Sequence, residues 1–180
     1  MKIKVPMGIS VAIALVLVAF GLFYGTWSGF REERAGVEAL LTHENGLMDV
    51  LSYRAADGLN LCVVARRHLP GDDAVLAQLE KAARELQSAQ GVYACRDADE
   101  RLNEAISAVS TSLRQSQSFQ TSQRDGKYLD MLTADLSNLS GSAAVSTYNQ
   151  AARAFNQKLG GSVAGVLASL MGISQCPLYE

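Results

Sequence analysis

The sequence predicts an all-α protein in which an N-terminal transmembrane helix precedes an antiparallel four-helix bundle with long helices. Three observations support this prediction. An uncharged apolar run covers Val5–Trp27, leucine and alanine recur beyond it at steps of three and four, and the 180 residues include only three prolines. Steps of three and four place apolar side chains on one face of a helix, and the scarcity of proline leaves long helices uninterrupted.

The uncharged run is long enough to cross a bilayer. A helix of its 23 residues measures about 34 Å at 1.5 Å per residue, and the hydrocarbon core is about 30 Å thick. A cleaved signal peptide is the alternative, but its apolar part usually covers about 7 to 15 residues. The one weak cleavage signal, Ala19-Phe20-Gly21, lies inside the run. We therefore expect residues 1–29 to remain as a transmembrane anchor.

The charges that flank the run bear on its orientation. Lys2 and Lys4 precede it, and Arg31 and Arg34 follow it. Together with the α-amine, the preceding charges slightly outnumber the following ones, and the side richer in positive charge tends to stay in the cytoplasm. The sequence therefore favours a cytoplasmic N-terminus and a domain on the far side of the membrane.

Three glycines, Gly21, Gly25 and Gly29, recur every four residues across the end of the run. Such a stripe lets two membrane helices approach closely, and van der Waals contacts then hold them together. Glycine is also common in membrane helices that do not associate. The stripe predicts close helix packing and a homo-oligomer. The alternative is that it reflects only the usual glycine content of membrane helices.

Beyond the anchor we expect one helical-bundle domain over residues 30–173. The apolar stripe of its first helix runs to Cys62 without a breaker after the anchor, and Leu69-Pro70-Gly71 ends it. Asp72 or Asp73 then caps a second helix. Four amphipathic helices with short links predict an antiparallel bundle.

The later bundle helices are predicted from their start and stop signals. Asp97-Ala98-Asp99-Glu100 resembles a capping box, so a third helix is expected to begin there and to fade near Gln115. The fourth is expected to be one long helix from Tyr128 to Leu159, because its apolar stripe continues until Gly160-Gly161.

A last apolar segment, from Val163 to Ile173, places its apolar side chains on one face but is too short to span a bilayer. It either covers the end of the bundle, which we favour, or lies in a membrane surface. Residues 174–180 are expected to form a tail beyond it.

Several segments resemble the LemA family of bacterial membrane proteins, and their order agrees across nearly the whole chain. Tyr148–Asn156 resembles the family segment in which Tyr-Asn is followed by an aromatic residue and Asn, and Leu178–Glu180 resembles its aromatic-Glu ending. Tyr53–Leu61 is similar to an arginine-containing run before Asn-Leu, although Leu59 replaces the family's proline. Lys127–Leu132 resembles the start of the last long helix. The chain is identified as a divergent member.

The resemblance implies a membrane-anchored helical bundle in the bacterial inner membrane, and some family members take part in forming membrane organelles. Combined with the flanking charges, it places the bulk of the chain on the periplasmic side. The lipid bilayer and another membrane or periplasmic protein are the expected partners.

The polar residues of the family-like segments suggest a structural network. Asn149, next to Tyr148, and Asn156 are seven residues apart, so they occupy equivalent positions on a helix. On an inward face they would form polar layers, with Arg54 and Asn60 as partners across the bundle. Surface positions and a partner-binding site are the alternatives.

The residues that usually perform chemistry are not arranged for it. A net charge of −2 leaves no basic footprint for nucleic acid. His43 and His68 lack the spacing that brings metal ligands to one helical face. Cys62, Cys95 and Cys176 form no CxxC pair, and buried free thiols are favoured over a Cys62–Cys95 disulfide. We expect no catalytic residue, cofactor or metal.

A membrane-tethered scaffold that binds another protein is therefore the first functional hypothesis, since a bundle offers grooves and faces to partner helices. A periplasmic sensor or ligand-binding module is the second, because helix bundles also hold small molecules. Membrane remodelling by the last apolar segment is the third.

Overall fold

The computed structural model describes residues 7–71 and 73–179, apart from the side chains of residues 139 and 140. Within these ranges the chain is helical and contains no strand, which confirms the all-α prediction. The helices are α1 (Met7–Thr42), α2 (Leu47–Ala65), α3 (Ala74–Ser88), α4 (Val92–Gln115), α5 (Gln117–Gln120), α6 (Gln123–Ser140), α7 (Ala143–Gly161) and α8 (Val163–Leu170). Some predictions concern residues outside the described ranges, namely Lys2, Lys4, Val5, the cap at Asp72, and Glu180.

The N-terminal helix α1 covers 36 residues without interruption. Among the described residues, the chain has one helix long and apolar enough to cross a membrane, and it lies near the N-terminus. Its most apolar window has a mean hydropathy of 2.4, and none of that window is buried. Leu15, Leu17 and Phe20, for example, expose about two thirds of their surface. Burial within α1 begins only at Phe30 and Val37.

The first predicted bundle helix is interrupted, although its apolar stripe predicts a continuous helix. The anchor does run into the following segment, but α1 ends at Thr42 and α2 begins at Leu47. Asn45 adopts a φ of 60°, and its backbone N–H donates to the Asp49 carboxylate. An Asn-Gly pair tolerates this left-handed conformation and is typical of turns. Because the apolar pattern continues on both sides of Asn45-Gly46, periodicity alone predicts no turn there.

The third and fourth predicted helices also have other bounds. Helix α4 begins at Val92 after Gly91, whose φ of 81° favours glycine, so the expected capping box at Asp97 lies inside the helix. The long fourth helix is divided at Gly141, which separates α6 from α7. Asp73 does cap α3 as expected, because its side chain accepts from the N–H of Val75 at 2.8 Å.

The chain divides into two compact units, and each is built from two segments that are distant in the sequence. The first combines Met1–Glu38 with Ala151–Cys176, and the second combines Ala39–Gln150 with Pro177–Glu180. The predicted domain bounds at residues 29 and 173 stay a prediction.

In the second unit, α2 packs against α3, α4 and α6, and α3 also packs against α4. Gly58 permits the close approach of these helices, because a Cβ there would lie 2.9 Å from the Leu102 side chain and 3.2 Å from the Ala83 side chain. Leucine is the most frequent residue of the core, and the most deeply buried leucines are Leu47, Leu61, Leu79, Leu102, Leu113 and Leu129. The four-helix count and the antiparallel order stay predictions.

In the first unit, the buried ring of Phe30 meets Phe155 edge to face, with centroids 6.3 Å apart. Lys158 lies over the Phe30 ring and pairs with Glu33. Helix α8 follows α7 after one residue, Ser162, whose side chain caps it.

Candidate functional site

A buried arginine organises the polar interior of the second unit. Arg54 of α2 exposes 1% of its surface, and its Nε donates to the Asp99 carboxylate of α4 at 2.6 Å. One terminal nitrogen donates to the carbonyl of Leu136 at 2.5 Å, and the other to Asn103 at 2.6 Å. The guanidinium therefore joins α2, α4 and α6. Removing one partner of a buried ion pair leaves the other charge uncompensated, which makes this a stability-determining contact.

The C-terminal tail belongs to the same network. The phenol of Tyr179 donates to the second oxygen of Asp99 at 3.0 Å, and its backbone N–H donates to the side chain of Asn149 at 2.8 Å. The buried Tyr148 phenol donates to the carbonyl of Pro177 at 2.8 Å. Tyr148 and Asn149 thus bind the C-terminal tail rather than forming a polar layer between helices.

Asn156 has an equivalent role in the first unit. Its side-chain amide donates to the carbonyl of Cys176 and accepts from the N–H of the same residue, both at 2.8 Å. Asn60, in contrast, is exposed, and its side chain contacts Asp57 of its own helix at 3.4 Å. Arg54 and Asn149 thus belong to the polar contacts of the second unit, and Asn156 binds Cys176 within the first unit. Their bonding partners Asp99, Tyr179 and Cys176 were not indicated by the sequence.

The tail contact predicts a loss of stability in alkaline solution. Burial raises the pKa of the Tyr179 phenol above its usual range, and the charge of Asp99 raises it further. The folded state therefore favours the neutral phenol, so its contribution is complete below the unfolded pKa of about 10 and is lost above it. In thermal unfolding followed by circular dichroism, Tyr179→Phe should lose less stability than the parent as the pH rises past about 10.

The exposed Tyr93 provides the matched control for that experiment, because Tyr93→Phe should retain the alkaline loss of the parent. Identical alkaline behaviour of the parent and Tyr179→Phe would contradict the buried phenol.

A second polar cluster lies where α2 ends and α6 begins. The Asp125 side chain is buried and accepts from Arg67 at 3.0 Å, from Arg124 at 3.2 Å and from the Nε2 of His68 at 2.8 Å. The His68 ring is nearly buried and stands edge-on to Phe119, with centroids 5.3 Å apart. Hydrogen bonding to His68, followed by the arginines, holds the pKa of Asp125 at about 2. The cluster connects α6 to the segment after α2.

This cluster also brings a serine next to a histidine and an aspartate, an arrangement that the sequence spacing did not reveal. The Nδ1 of His68 lies 3.1 Å from the hydroxyl of Ser118, and its Nε2 bonds Asp125. The imidazole ring therefore lies between the serine and the aspartate. Such an order of groups is found in serine hydrolases. Here, however, two guanidinium groups share the carboxylate and neutralise much of the charge that would stabilise a protonated histidine.

The same cluster predicts a loss of stability in acid. Because its pKa is about 2, Asp125 favours the folded state above the unfolded pKa of about 3.9, and this contribution disappears as the pH falls from about 4 to 2. Asp125→Asn should lower the melting temperature at neutral pH. It should also reduce the loss of stability that the parent shows as the pH falls from about 4 to 2. Asp130→Asn removes an exposed carboxylate from the same helix and should keep the parent's profile. A steep acid loss that persists in Asp125→Asn would exclude Asp125 as its source.

A groove of about 480 Å³ adjoins this cluster between α2 and α6. Its floor is apolar and solvent-accessible, with Val63 and Met131 each about half exposed. Its edge carries Arg67, Arg124 and Lys127, and the one carboxylate in the lining, Asp125, is already paired with both arginines. The groove therefore suits an amphipathic ligand with negative charge beside an apolar face.

The other residues singled out in the sequence are the three cysteines, the candidate metal ligands and the glycine stripe of α1. Cys62, Cys95 and Cys176 are buried free thiols, and burial raises the pKa of Cys62 to about 11, which suppresses the reactive thiolate. In the described part of the chain, no three His, Cys, Asp or Glu side chains cluster as metal ligands. Built on Gly21, Gly25 or Gly29, a Cβ would meet no atom within 4 Å, so this face of α1 is uncovered.

Comparison of the chain with protein-family models, with curated proteins and with solved structures returns no match.

Proposed function

We propose that this chain is a single-pass membrane protein whose α1 crosses the bilayer and whose remaining helices form a scaffold for another protein. The observation that carries the proposal is the exposure of the apolar α1 side chains, which water would not tolerate over such a length. We further propose that α2, α3, α4 and α6 form an antiparallel bundle. Consecutive helices α2, α3 and α4 pack against their neighbours across short links, which supports that order.

The proposed location is the bacterial inner membrane, with the bulk of the chain on the periplasmic side, as the resemblance to the LemA family implies. A reporter fused to the C-terminus tests the orientation. Activity of a periplasm-dependent reporter such as alkaline phosphatase supports the proposal, and activity of a cytoplasm-dependent reporter overturns it. Self-association through Gly21, Gly25 and Gly29 is part of the same proposal, and Gly25→Leu should weaken it by blocking close approach.

The scaffold's proposed contact surface is the groove between α2 and α6, and its proposed occupant is an acidic amphipathic helix of a partner protein. Charge complementarity supports this assignment, because Arg67, Arg124 and Lys127 surround the apolar floor. A photoreactive amino acid at Met131, half exposed in that floor, should crosslink one protein in intact membranes. Lys127→Glu should abolish the adduct, and Lys81→Glu on α3 should leave it unchanged.

The identity of the adduct decides between the candidate functions. A crosslinked protein whose captured segment is acidic and helical supports the scaffold. An adduct to a small anionic molecule supports the alternative, a ligand-binding or sensor module. Absence of any adduct that responds to Lys127→Glu overturns the groove as a docking surface.

We propose that the cluster of Ser118, His68 and Asp125 is structural and that the protein is non-catalytic. A fluorophosphonate probe distinguishes the two interpretations, because it reacts with activated serines. We expect no labelling of the full-length protein. Labelling that disappears in both Ser118→Ala and His68→Ala, with Ser116→Ala still labelled, would instead establish a nucleophilic serine.

A further inference from the structure

The outer face of α8 is apolar and uncovered. The helix has the sequence VAGVLASL, without a charged side chain. Val163 exposes 82% of its surface, Leu170 80% and Val166 50%. At 100° per residue these three side chains lie within about 60° of one another. Gly165 and Ala168, on the opposite side, are buried, so α8 has its apolar outer face turned away from the protein.

The orientation of α8 is fixed by its surroundings. Ser162 caps the helix by accepting from the N–H of Gly165 at 2.9 Å. A Cβ on Gly165 would lie 2.2 Å from the carbonyl oxygen of Leu159, so only glycine allows this approach to the end of α7. At its other end, Gly172 with a φ of 93° ends α8. The apolar face therefore cannot turn inward without breaking these contacts.

The residue after α8 lies at the level of the apolar part of α1. Met171 lines an apolar groove of about 300 Å³ together with Phe20, Phe23, Tyr24 and Trp27. Phe20 to Trp27 covers about 10 Å along a helix axis. Phe20 and Phe23 are themselves exposed, at 68% and 47%. The end of α8 is thus beside the last turns of the segment proposed to be in lipid, where aromatic rings favour the bilayer boundary.

We infer that α8 lies in the surface of the bilayer that α1 crosses, with Val163, Val166 and Leu170 among the lipid chains. This inference rests on the proposed membrane anchor and adds a second point of attachment. Met171 lies beside Phe20–Trp27, the last turns of the apolar run, and interfacial helices bury their apolar face about 5–10 Å into the bilayer. Lipid is favoured over a protein partner because the neighbouring aromatic side chains of α1 are exposed at the same level.

The inference is tested by the depth of a fluorescent label in the full-length protein. Single cysteines replace Leu170, Val163, Ala164 or Leu17, and a polarity-sensitive dye is attached to each after reconstitution into phosphatidylethanolamine–phosphatidylglycerol vesicles. The native thiols are buried, and the parent protein measures their background labelling. Lipid-borne nitroxides quench labels inside the bilayer, and iodide quenches labels in water.

Ala164 is the matched control, because it is exposed on α8 but lies about 120° from the centre of the apolar face. We expect the labels at Leu170 and Val163 to show blue-shifted emission and strong nitroxide quenching, and the label at Ala164 to be quenched more by iodide. Equal iodide quenching at all three positions would overturn the inference. Protection of Leu170 from both quenchers would also overturn it, since a protein would then cover the face.

The label at Leu17 separates this inference from the proposal on which it rests. Leu17 lies in the middle of the apolar run of α1. If nitroxides quench Leu17 but not Leu170, α1 is in the membrane and the inference about α8 is wrong. If they quench neither, the membrane anchor itself is wrong.

Discussion

Replacing Arg54 by methionine is expected to lower the free energy of unfolding by about 3–5 kcal/mol, the usual cost of breaking a buried ion pair. Methionine keeps much of the length of the side chain, so the loss reports the polar contacts rather than a cavity. Asp99 would remain nearly buried without its cation, and the carbonyl of Leu136 would lose a donor. Thermal unfolding followed by circular dichroism, on the full chain in mild detergent, measures the effect.

Arg66→Met is the matched control, because Arg66 follows the same helix but forms its ion pair with Glu80 at the surface. Exposed pairs contribute at most about 1 kcal/mol. A second variant, Arg54→Met with Asp99→Leu, should recover part of the loss, since replacing both members of a buried pair removes the uncompensated charge. If Arg54→Met costs no more than Arg66→Met, the buried network does not stabilise the fold.

Two arginines in the middle of α1 should remove the protein from the membrane. Ala14 and Leu17 are close to the centre of the apolar run, where each arginine costs about 2.5–3.5 kcal/mol by insertion scales, or roughly 5–7 kcal/mol for the pair. The double variant Ala14→Arg/Leu17→Arg should therefore be lost from the membrane fraction. Immunoblotting of fractionated cells measures this loss.

The control for that variant places the same two charges on an exposed helix outside the anchor. Ala77 and Gln78 of α3 are both exposed, so Ala77→Arg/Gln78→Arg should leave the protein in the membrane fraction. Equal retention of the two double variants in the membrane fraction would show that the apolar middle of α1 does not lie in lipid.

The all-α fold and the long apolar N-terminal helix were predictable because both depend on local sequence patterns. An uncharged run is visible directly, and the leucine spacing fixes which side chains are buried, as Leu79, Leu102 and Leu113 show. The breaks were less predictable. At Asn45 and Gly141 the apolar stripe continues across the interruption, so periodicity alone conceals a short turn.

The polar network depends on residues far apart in the chain, which limits what sequence alone reveals. The family-like segments and the seven-residue spacing of Asn149 and Asn156 predict a structural role for Arg54 and Asn149, but nothing local indicates that Arg54 pairs with Asp99, 45 residues away. The sequence pattern predicts Asp99 as an acid at a helix start, although α4 begins seven residues earlier. The sequence predicts residues 174–180 as a separate tail, and Tyr179 of this tail is bonded to both α4 and α7.

The cluster around Asp125 was missed for a related reason. His68, Ser118 and Asp125 belong to three segments between helices or at their ends, and no motif joins them. A hint was available in Phe119, the lone apolar residue of a polar stretch, because a single buried aromatic residue often holds a loop against the core. It contacts the ring of His68 and so fixes the geometry of the cluster.

The insertion of α1 in the bilayer is tested most directly by washing membranes from expressing cells with alkaline carbonate and measuring the intact mass of the retained protein. We expect the protein to stay with the washed membranes and its mass still to include the run Val5–Trp27. Release into the wash, or a mass that lacks residues 1–21 as expected after cleavage behind Ala19-Phe20-Gly21, would contradict the membrane anchor.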